Sequence, residues 1–281
     1  MHSRRWLTAL VVLPLLLLAL LKGGRFGLVL VILVVNALAQ WEFLGMFFAA
    51  APRAERLKSI LLGSLLLLSF CTASPFGNLC YPGGIIPCNP STVLFVLVWC
   101  IFILLLFYLI SYGHIEQLIQ HLAINILGLL YLPFLLGHFI WLRYMPQGEL
   151  WIFWLLLVIF AGDTGAFYVG RALGQTKLYP QVSPGKTWAG TGGGVLSSLV
   201  VGIAAGKWLL EANLWGLIWL ALILALMGIL GDLFESMLKR QAQVKDAGQL
   251  LPGHGGMLDR LDSLLFAVPV VVYARLFLFG G

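Results

Sequence analysis

The sequence predicts an all-α, polytopic integral membrane protein with about nine transmembrane helices and a cytoplasmic N-terminus. Hydrophobic residues make up 61% of the 281 residues and charged residues only 10%, whereas a soluble domain contains about 45–50% apolar residues. Apolar runs of nearly spanning length recur along the whole chain. Most of the seventeen Lys and Arg residues fall on one side of the membrane when the runs are taken as alternating spans, as the positive-inside rule requires.

Each predicted span approaches the roughly 20 apolar residues that cross about 30 Å of hydrocarbon. The spans cover residues 7–21, 27–48, 59–74, 93–112, 122–142, 150–170, 191–210, 214–231 and 263–279. The first run resembles a signal peptide but has no small-residue cleavage site after it, so we interpret it as a retained helix. We expect one membrane-embedded domain, with generic N-terminal helices in residues 1–150 and the helices and cytoplasmic loops of the candidate site in residues 151–281.

The formal net charge of +6 is spread over many short loops. It therefore sets the topology and does not indicate nucleic acid as a partner; the expected surroundings are the lipid bilayer. A lipid or ion transporter is an alternative, because nine helices with an intramembrane Asp163 also suit a substrate path. We find no inverted repeat of the kind common in transporters, which disfavours that alternative.

The longest polar stretch, read as a loop from Asp232 to Asp262, carries the densest charge in the chain. Asp259 and Asp262 share a face if the segment is helical, because they are spaced i, i+3. Carboxylates without a His or Cys cluster suit Mg²⁺, which takes one or two of them and completes its shell with water and substrate phosphates. The alternative is a set of solvated salt bridges, each worth at most about 1 kcal/mol. The density of acids, cations and glycines favours the metal site.

A glycine-rich turn, Gly253-His254-Gly255-Gly256, lies within the same stretch. Without side-chain bulk, its backbone N–H groups can approach an anion closely, as a phosphate-binding nest requires. His254 would donate a further hydrogen bond. The alternative is a simple turn with a structural histidine.

A second cluster is Ser183-Pro184-Gly185-Lys186-Thr187. It is not a P-loop, because Pro180 stands where that motif has its first glycine. It still offers two hydroxyls and a lysine before a helix N-terminus, where a phosphate is stabilised. The glycines at 192–194 suit this use or close helix packing, and both uses can coexist.

A third cluster runs from Asp163 to Arg171 at the predicted cytoplasmic end of the sixth span. An ionisable residue inside the membrane is a functional candidate by default. The alternative is that Asp163 only pairs with Arg171 or another basic side chain. All three clusters reach the cytoplasmic face in the topology predicted from charge alone.

From Ser236 to Asp262 the chain resembles the phosphatidate cytidylyltransferase family. The family signature reads Ser-x-apolar-Lys-Arg, Lys-Asp, His-Gly-Gly and Asp-Arg-apolar-Asp, and each element is present at the expected spacing. The second and third clusters support the resemblance, while the N-terminal half is generic. Relatives often carry a Lys and a Glu where this chain has Gly185 and Ala189, so roles at those two positions do not transfer.

The resemblance implies transfer of the cytidylyl group of CTP to phosphatidate, giving CDP-diacylglycerol and pyrophosphate. It implies Mg²⁺ on Asp232 and Asp259, with Asp246 and Asp262 as the next choices, and leaves open a companion monovalent cation such as K⁺. The expected catalytic residues are Asp232, Asp259, Lys239, Asp246 and His254. The expected substrate-binding residues are Asp163, Arg171, Ser183, Lys186, Thr187, Ser236, Arg240, Lys245, Gly255, Gly256 and Arg260.

The expected location is the bacterial cytoplasmic (inner) membrane, with the active site facing the cytoplasm. A closer rival is a related transferase that acts on a different lipid, such as an isoprenoid alcohol or an archaeal ether lipid. The sequence leaves open whether the protein is a monomer or a homodimer, and whether Cys80 and Cys88 form a disulfide or remain free thiols.

Overall fold

The structure, a computed structural model, describes residues 22–48, 53–72, 91–248 and 255–279. The helices are α1 (Gly24–Phe47), α2 (Arg53–Thr72), α3 (Ser91–Ile110), α4 (Leu118–Leu129), α5 (Leu135–Tyr144), α6 (Gly148–Leu173), α7 (Trp188–Leu209), α8 (Leu214–Gln241) and α9 (Asp262–Phe277). A π-helical segment, Leu130–Phe134, joins α4 to α5 around Pro133. The predicted span 7–21 and both Cys80 and Cys88 lie outside the described residues.

The prediction of a helical membrane protein is confirmed. Six helical stretches of the described residues are long and apolar enough to cross a membrane. They are α1, α3, the stretch Leu118–Tyr144, α6, α7 and α8. Helices α2 and α9 coincide with the predicted spans 59–74 and 263–279 but are not among the six. The full number of spans and the side on which the N-terminus lies stay predictions.

The chain forms two compact units, and the first comprises residues up to Tyr144 together with Asp246–Leu258. A buried polar network joins α2, α3 and α4 within it. The Tyr108 hydroxyl donates to Glu55 Oε1 at 2.5 Å, and Asn125 Nδ2 donates to the Tyr108 oxygen at 2.8 Å. The Ser59 hydroxyl donates to Asn125. Because these buried groups bond to one another, the network fixes how the three helices pack.

The second unit comprises Met145–Lys245 and Asp259–Gly281. Within it, α6 and α7 approach closely because small residues line both helices. A Cβ atom added at Gly165 would lie 2.1 Å from the Ser197 hydroxyl, and one added at Gly193 would lie 2.4 Å from Val169. Trp154 Nε1 donates across the pair to the Gly202 carbonyl at 2.8 Å. Close packing of small residues is a common way for helices to associate in lipid, so this use is confirmed for Gly193.

Helix α8 corrects the expectation of a loop beginning at Asp232. The helix continues to Gln241, and the predicted loop therefore begins there. The apolar run ends at the first charge, but a helix does not need apolar residues once it leaves the membrane, and Glu235 and Lys239 pair at i, i+4 along it. At the other end of the stretch, Asp259 lies in a short 3₁₀ segment, Leu258–Arg260, and so does not share a regular α-helix with Asp262.

An antiparallel hairpin between α6 and α7 was not predicted. Its strands are β1 (Lys177–Tyr179) and β2 (Ser183–Thr187), with Lys177 opposite Thr187 and Tyr179 opposite Ser183. Gly and Pro residues favour turns, and Pro180 lies in the short connection between the two strands. The hairpin places the second cluster directly before the first turn of α7.

Candidate active site

Lys239 joins two carboxylates near the end of α8. Its Nζ lies 2.7 Å from Glu235 Oε2 and 2.6 Å from Asp259 Oδ1. The Glu235 side chain is fully buried and only 8% of the Asp259 side chain is exposed. Removing carboxylates from water is costly unless they are paired, so one lysine stabilises an acid of its own helix and an acid of the 3₁₀ segment.

A second lysine reaches the same helix from the hairpin. Lys186 Nζ on β2 lies 2.6 Å from Asp232 Oδ2. The other oxygen of Asp232 accepts a hydrogen bond from the Ser236 hydroxyl at 3.2 Å. Arg240 Nε donates to the Val182 carbonyl of the hairpin at 3.2 Å. Four of the predicted site residues thus lie along one contact region between α8 and the hairpin.

Thr187 has a structural partner. It is the N-cap of α7, and its hydroxyl oxygen accepts a hydrogen bond from the Gly190 N–H at 3.1 Å. A side-chain oxygen at this position satisfies one of the unpaired donors at a helix start. The helix N-terminus that we predicted next to Lys186 is therefore present and capped. The substrate-binding roles of Thr187 and Ser183 stay predictions.

Asp163 and Asp262 lie in the electrostatic field of Asp232. The charge of Asp232 acts unfavourably on the ionised form of Asp262. Burial, and then the charge of Asp232, raise the pKa of Asp262, which precedes the predicted ninth span, to about 7. The second unit thus collects several acids from α6, α8 and the start of α9, and an added cation would stabilise their ionised forms.

These residues fit Mg²⁺ by the chemistry of their donors. The acids supply oxygen ligands, as Mg²⁺ prefers. Among the described residues, no group of three or more His, Cys, Asp or Glu side chains is arranged to hold a metal ion. Mg²⁺ usually takes only one or two carboxylates and fills its shell with water and substrate phosphates. Binding of Mg²⁺ by these residues stays a prediction.

The remaining predicted site residues that the structure describes are divided between the two units. Arg171, Lys245 and Arg260 are exposed in the second unit. Asp246, Gly255 and Gly256 belong to the first unit. His254 lies outside the described residues. Their assigned roles stay predictions.

Two acidic residues that contact a predicted site residue or its neighbour were not themselves predicted. Glu235 was overlooked because the segment after Asp232 was read as a loop; read as a helix, its i, i+4 spacing to Lys239 would have indicated the pair. Glu42 on α1 accepts a hydrogen bond from the Leu258 N–H at 3.0 Å, across 216 positions of sequence. No local pattern near Glu42 indicates that contact.

Comparisons with known proteins relate the chain to a family of nucleotidyl transferases. The model of a family described as the cytidylyltransferase family matches residues 3–278. The chain is similar to phosphatidate cytidylyltransferases from Haemophilus influenzae (42% identical over 136 residues), Bacillus subtilis (43% over 152) and Staphylococcus epidermidis (43% over 126). The matched segments cover 47%, 52% and 44% of this chain and 47%, 55% and 48% of those relatives. The chain thus spans about half the length of the curated relatives it matches.

Proposed function

The chain belongs to the cytidylyltransferase family, and we propose that it transfers the cytidylyl group of CTP to phosphatidate, giving CDP-diacylglycerol and pyrophosphate. The relatives reported above carry the name phosphatidate cytidylyltransferase. The observation that carries the proposal is the pair of lysine–carboxylate contacts in the second unit, Lys186 with Asp232 and Lys239 with Asp259, each at 2.6 Å. This arrangement places acids and cations together, as a metal-dependent phosphate site requires.

The proposed reaction brings two polyanions together. A phosphate oxygen of phosphatidate attacks the α-phosphorus of CTP, and the bond from that phosphorus to the oxygen bridging to the β-phosphate breaks. Pyrophosphate carries away the electron pair of that bond. Because the nucleophile is already anionic, no protein nucleophile or strong general base is needed. Positioning and charge neutralisation then supply most of the acceleration.

The side chains of the second unit have distinct parts in this proposal. Asp232 and Asp259 would hold Mg²⁺, with Asp262 as the next choice, and the ion would neutralise and orient the triphosphate. Lys186 and Lys239 pair with Asp232 and Asp259 and offset phosphate charge. Arg240 and Arg260 are expected to add positive charge on the approach to the site. A companion K⁺ and a homodimer stay predictions.

We also propose nine spans, a cytoplasmic N-terminus and a site on the cytoplasmic face of a bacterial inner membrane. The uneven distribution of Lys and Arg supports this orientation, and the relatives reported above are bacterial. In a cysteine-free background, single cysteines at Lys207 and Lys245 test it in spheroplasts. A membrane-impermeant maleimide should label position 207 and not position 245; the reverse pattern would contradict the orientation.

The function itself is tested by product stoichiometry. Purified protein in mixed micelles with phosphatidate, Mg²⁺ and CTP should release one pyrophosphate for each CDP-diacylglycerol formed. dCTP, UTP, ATP and GTP replace CTP in parallel reactions, and an isoprenoid alcohol replaces phosphatidate. Release only with the alcohol would favour the related transferase. Absence of pyrophosphate with every pair of substrates would refute nucleotidyl transfer. It would then favour the alternative of a lipid or ion transporter.

A further inference from the structure

Glu42 lies on α1, in the half of the chain where the sequence predicted no site residue. Its side chain is buried, with 8% of the residue exposed. Its Oε2 accepts a hydrogen bond from the backbone N–H of Leu258 at 3.0 Å. Both residues belong to the first unit. Leu258 directly precedes Asp259 in the sequence, so this contact holds the backbone one residue before a proposed metal ligand.

Two glycines enclose the same carboxylate. A Cβ atom added at Gly248 would lie 2.4 Å from Glu42 Oε1, and one added at Gly256 would lie 2.5 Å from Oε2. Real Cβ atoms do not approach an oxygen so closely, so each position needs glycine as long as the carboxylate stays in place. Gly256 was predicted to let an anion approach the backbone; the acidic side chain beside it in the structure is that of Glu42.

Burying the Glu42 carboxylate costs free energy that an apolar side chain at this position would not. Acidic groups within apolar helices are costly and are usually retained for function. Oε1 of Glu42 has no hydrogen-bond partner among the described residues. An apolar side chain of similar size would avoid the burial of charge, but it could not accept the Leu258 N–H. Glu42 therefore contributes a hydrogen-bond acceptor for the Leu258 N–H.

We propose that Glu42 is a positioning residue, whose carboxylate holds the Gly256–Leu258 segment and thereby sets the backbone from which Asp259 projects. The inference rests on the proposed function only for the part played by Asp259; the contact itself does not depend on it. Partners that orient metal ligands typically affect metal affinity or activity by roughly 10- to 100-fold when they are removed. The same range is expected for loss of the Glu42 acceptor.

Hydrogen exchange tests the contact without any substrate. Peptides covering residues 255–261 are followed in the unmodified protein, in Glu42→Ala and in Glu42→Gln, with the exposed Glu116→Gln as the matched control. Glu42→Ala should speed exchange of the Leu258 amide by roughly tenfold, as expected when the hydrogen bond that protects an amide is lost. Glu42→Gln, which retains an oxygen acceptor, should fall between the two. Equal exchange in Glu42→Ala and the unmodified protein would overturn the inference.

Kinetics test the consequence for the site. Glu42→Ala should lower kcat by roughly 10- to 100-fold and raise the Mg²⁺ concentration for half-maximal rate, with the KM for phosphatidate little changed. Glu42→Gln should recover part of kcat. Rates are expressed per folded protein, counted as the monodisperse peak in detergent. If the loss disappears after this correction, Glu42 only supports folding and the inference is wrong.

A second variant tests the same carboxylate from the opposite side. Gly248→Ala should lower kcat in the unmodified protein, because its methyl group displaces the Glu42 oxygen. In the Glu42→Ala background that oxygen is gone, so the same change should cost little more. Equal losses in both backgrounds would show that the two residues act independently and would contradict the inference. If the unmodified protein makes no CDP-diacylglycerol, the proposed function fails, while the exchange experiment still decides the role of Glu42.

Discussion

Replacing Lys239 with alanine tests the electrostatic reasoning most directly. The change removes the cation that lies within 2.7 Å of Glu235 and 2.6 Å of Asp259. The exposed fractions of the three side chains are 14% for Lys239, none for Glu235 and 8% for Asp259. The variant therefore leaves two enclosed carboxylates without their shared partner.

The expected size of the effect follows from this burial. Removing one partner of a buried ion pair costs about 3–5 kcal/mol, because an uncompensated charge stays behind; an exposed pair costs at most about 1 kcal/mol. For a chain of this size, about 1 kcal/mol shifts Tm by roughly 2–4 °C. We expect Lys239→Ala to lower Tm in detergent by at least about 6 °C.

The double variant Lys239→Ala with Glu235→Gln separates stability from catalysis. Neutralising Glu235 removes a buried charge that has lost its lysine, so part of the lost Tm should return. Cytidylyl transfer should not return, because the lysine that offsets phosphate charge is still missing. Lys207→Ala, which removes an exposed lysine of the same unit, is the control. A Tm shift below about 2 °C, or full activity in the double variant, would refute the reasoning.

Three further outcomes are expected. Asp259→Asn should reduce CTP-dependent turnover by at least about 100-fold while the protein stays monodisperse in detergent. The control is Glu211→Gln, which changes an exposed acid. Near-normal turnover would remove Asp259 from the metal site. Lys186→Met should change stability by no more than about 1 kcal/mol, because its pair is partly exposed, yet raise the KM for CTP about tenfold or more; an unchanged KM would restrict Lys186 to a structural role. Gly165→Ala should lower stability by about 1–3 kcal/mol through overpacking against Ser197. Gly192→Ala should not, because no atom lies within 4 Å of its added Cβ. Equal Tm values of the two variants would contradict the close packing of α6 on α7.

Several features were predictable because each depends on a short stretch of sequence. Hydropathy within one run of residues decides whether that run is suited to the membrane, and the six candidate spans of the described residues correspond to predicted ones. The dense motifs likewise marked Lys186, Asp232, Lys239 and Asp259 as candidate site residues; the structure shows their ion pairs, and their roles stay predictions. The loop predicted from Asp232 was wrong because hydropathy reports where lipid ends, which is not where α8 ends.

The sequence by itself thus determined which segments are apolar enough to span the membrane and which polar residues stand between them. Only the tertiary structure decided the partners: Lys186 with Asp232, Lys239 with both Glu235 and Asp259, and Glu42 with the Leu258 N–H. The physical reason is the sequence distance over which each property is decided. Burial in lipid is a property of neighbouring residues, whereas a hydrogen bond across 216 positions depends on how whole helices pack, which no single segment encodes.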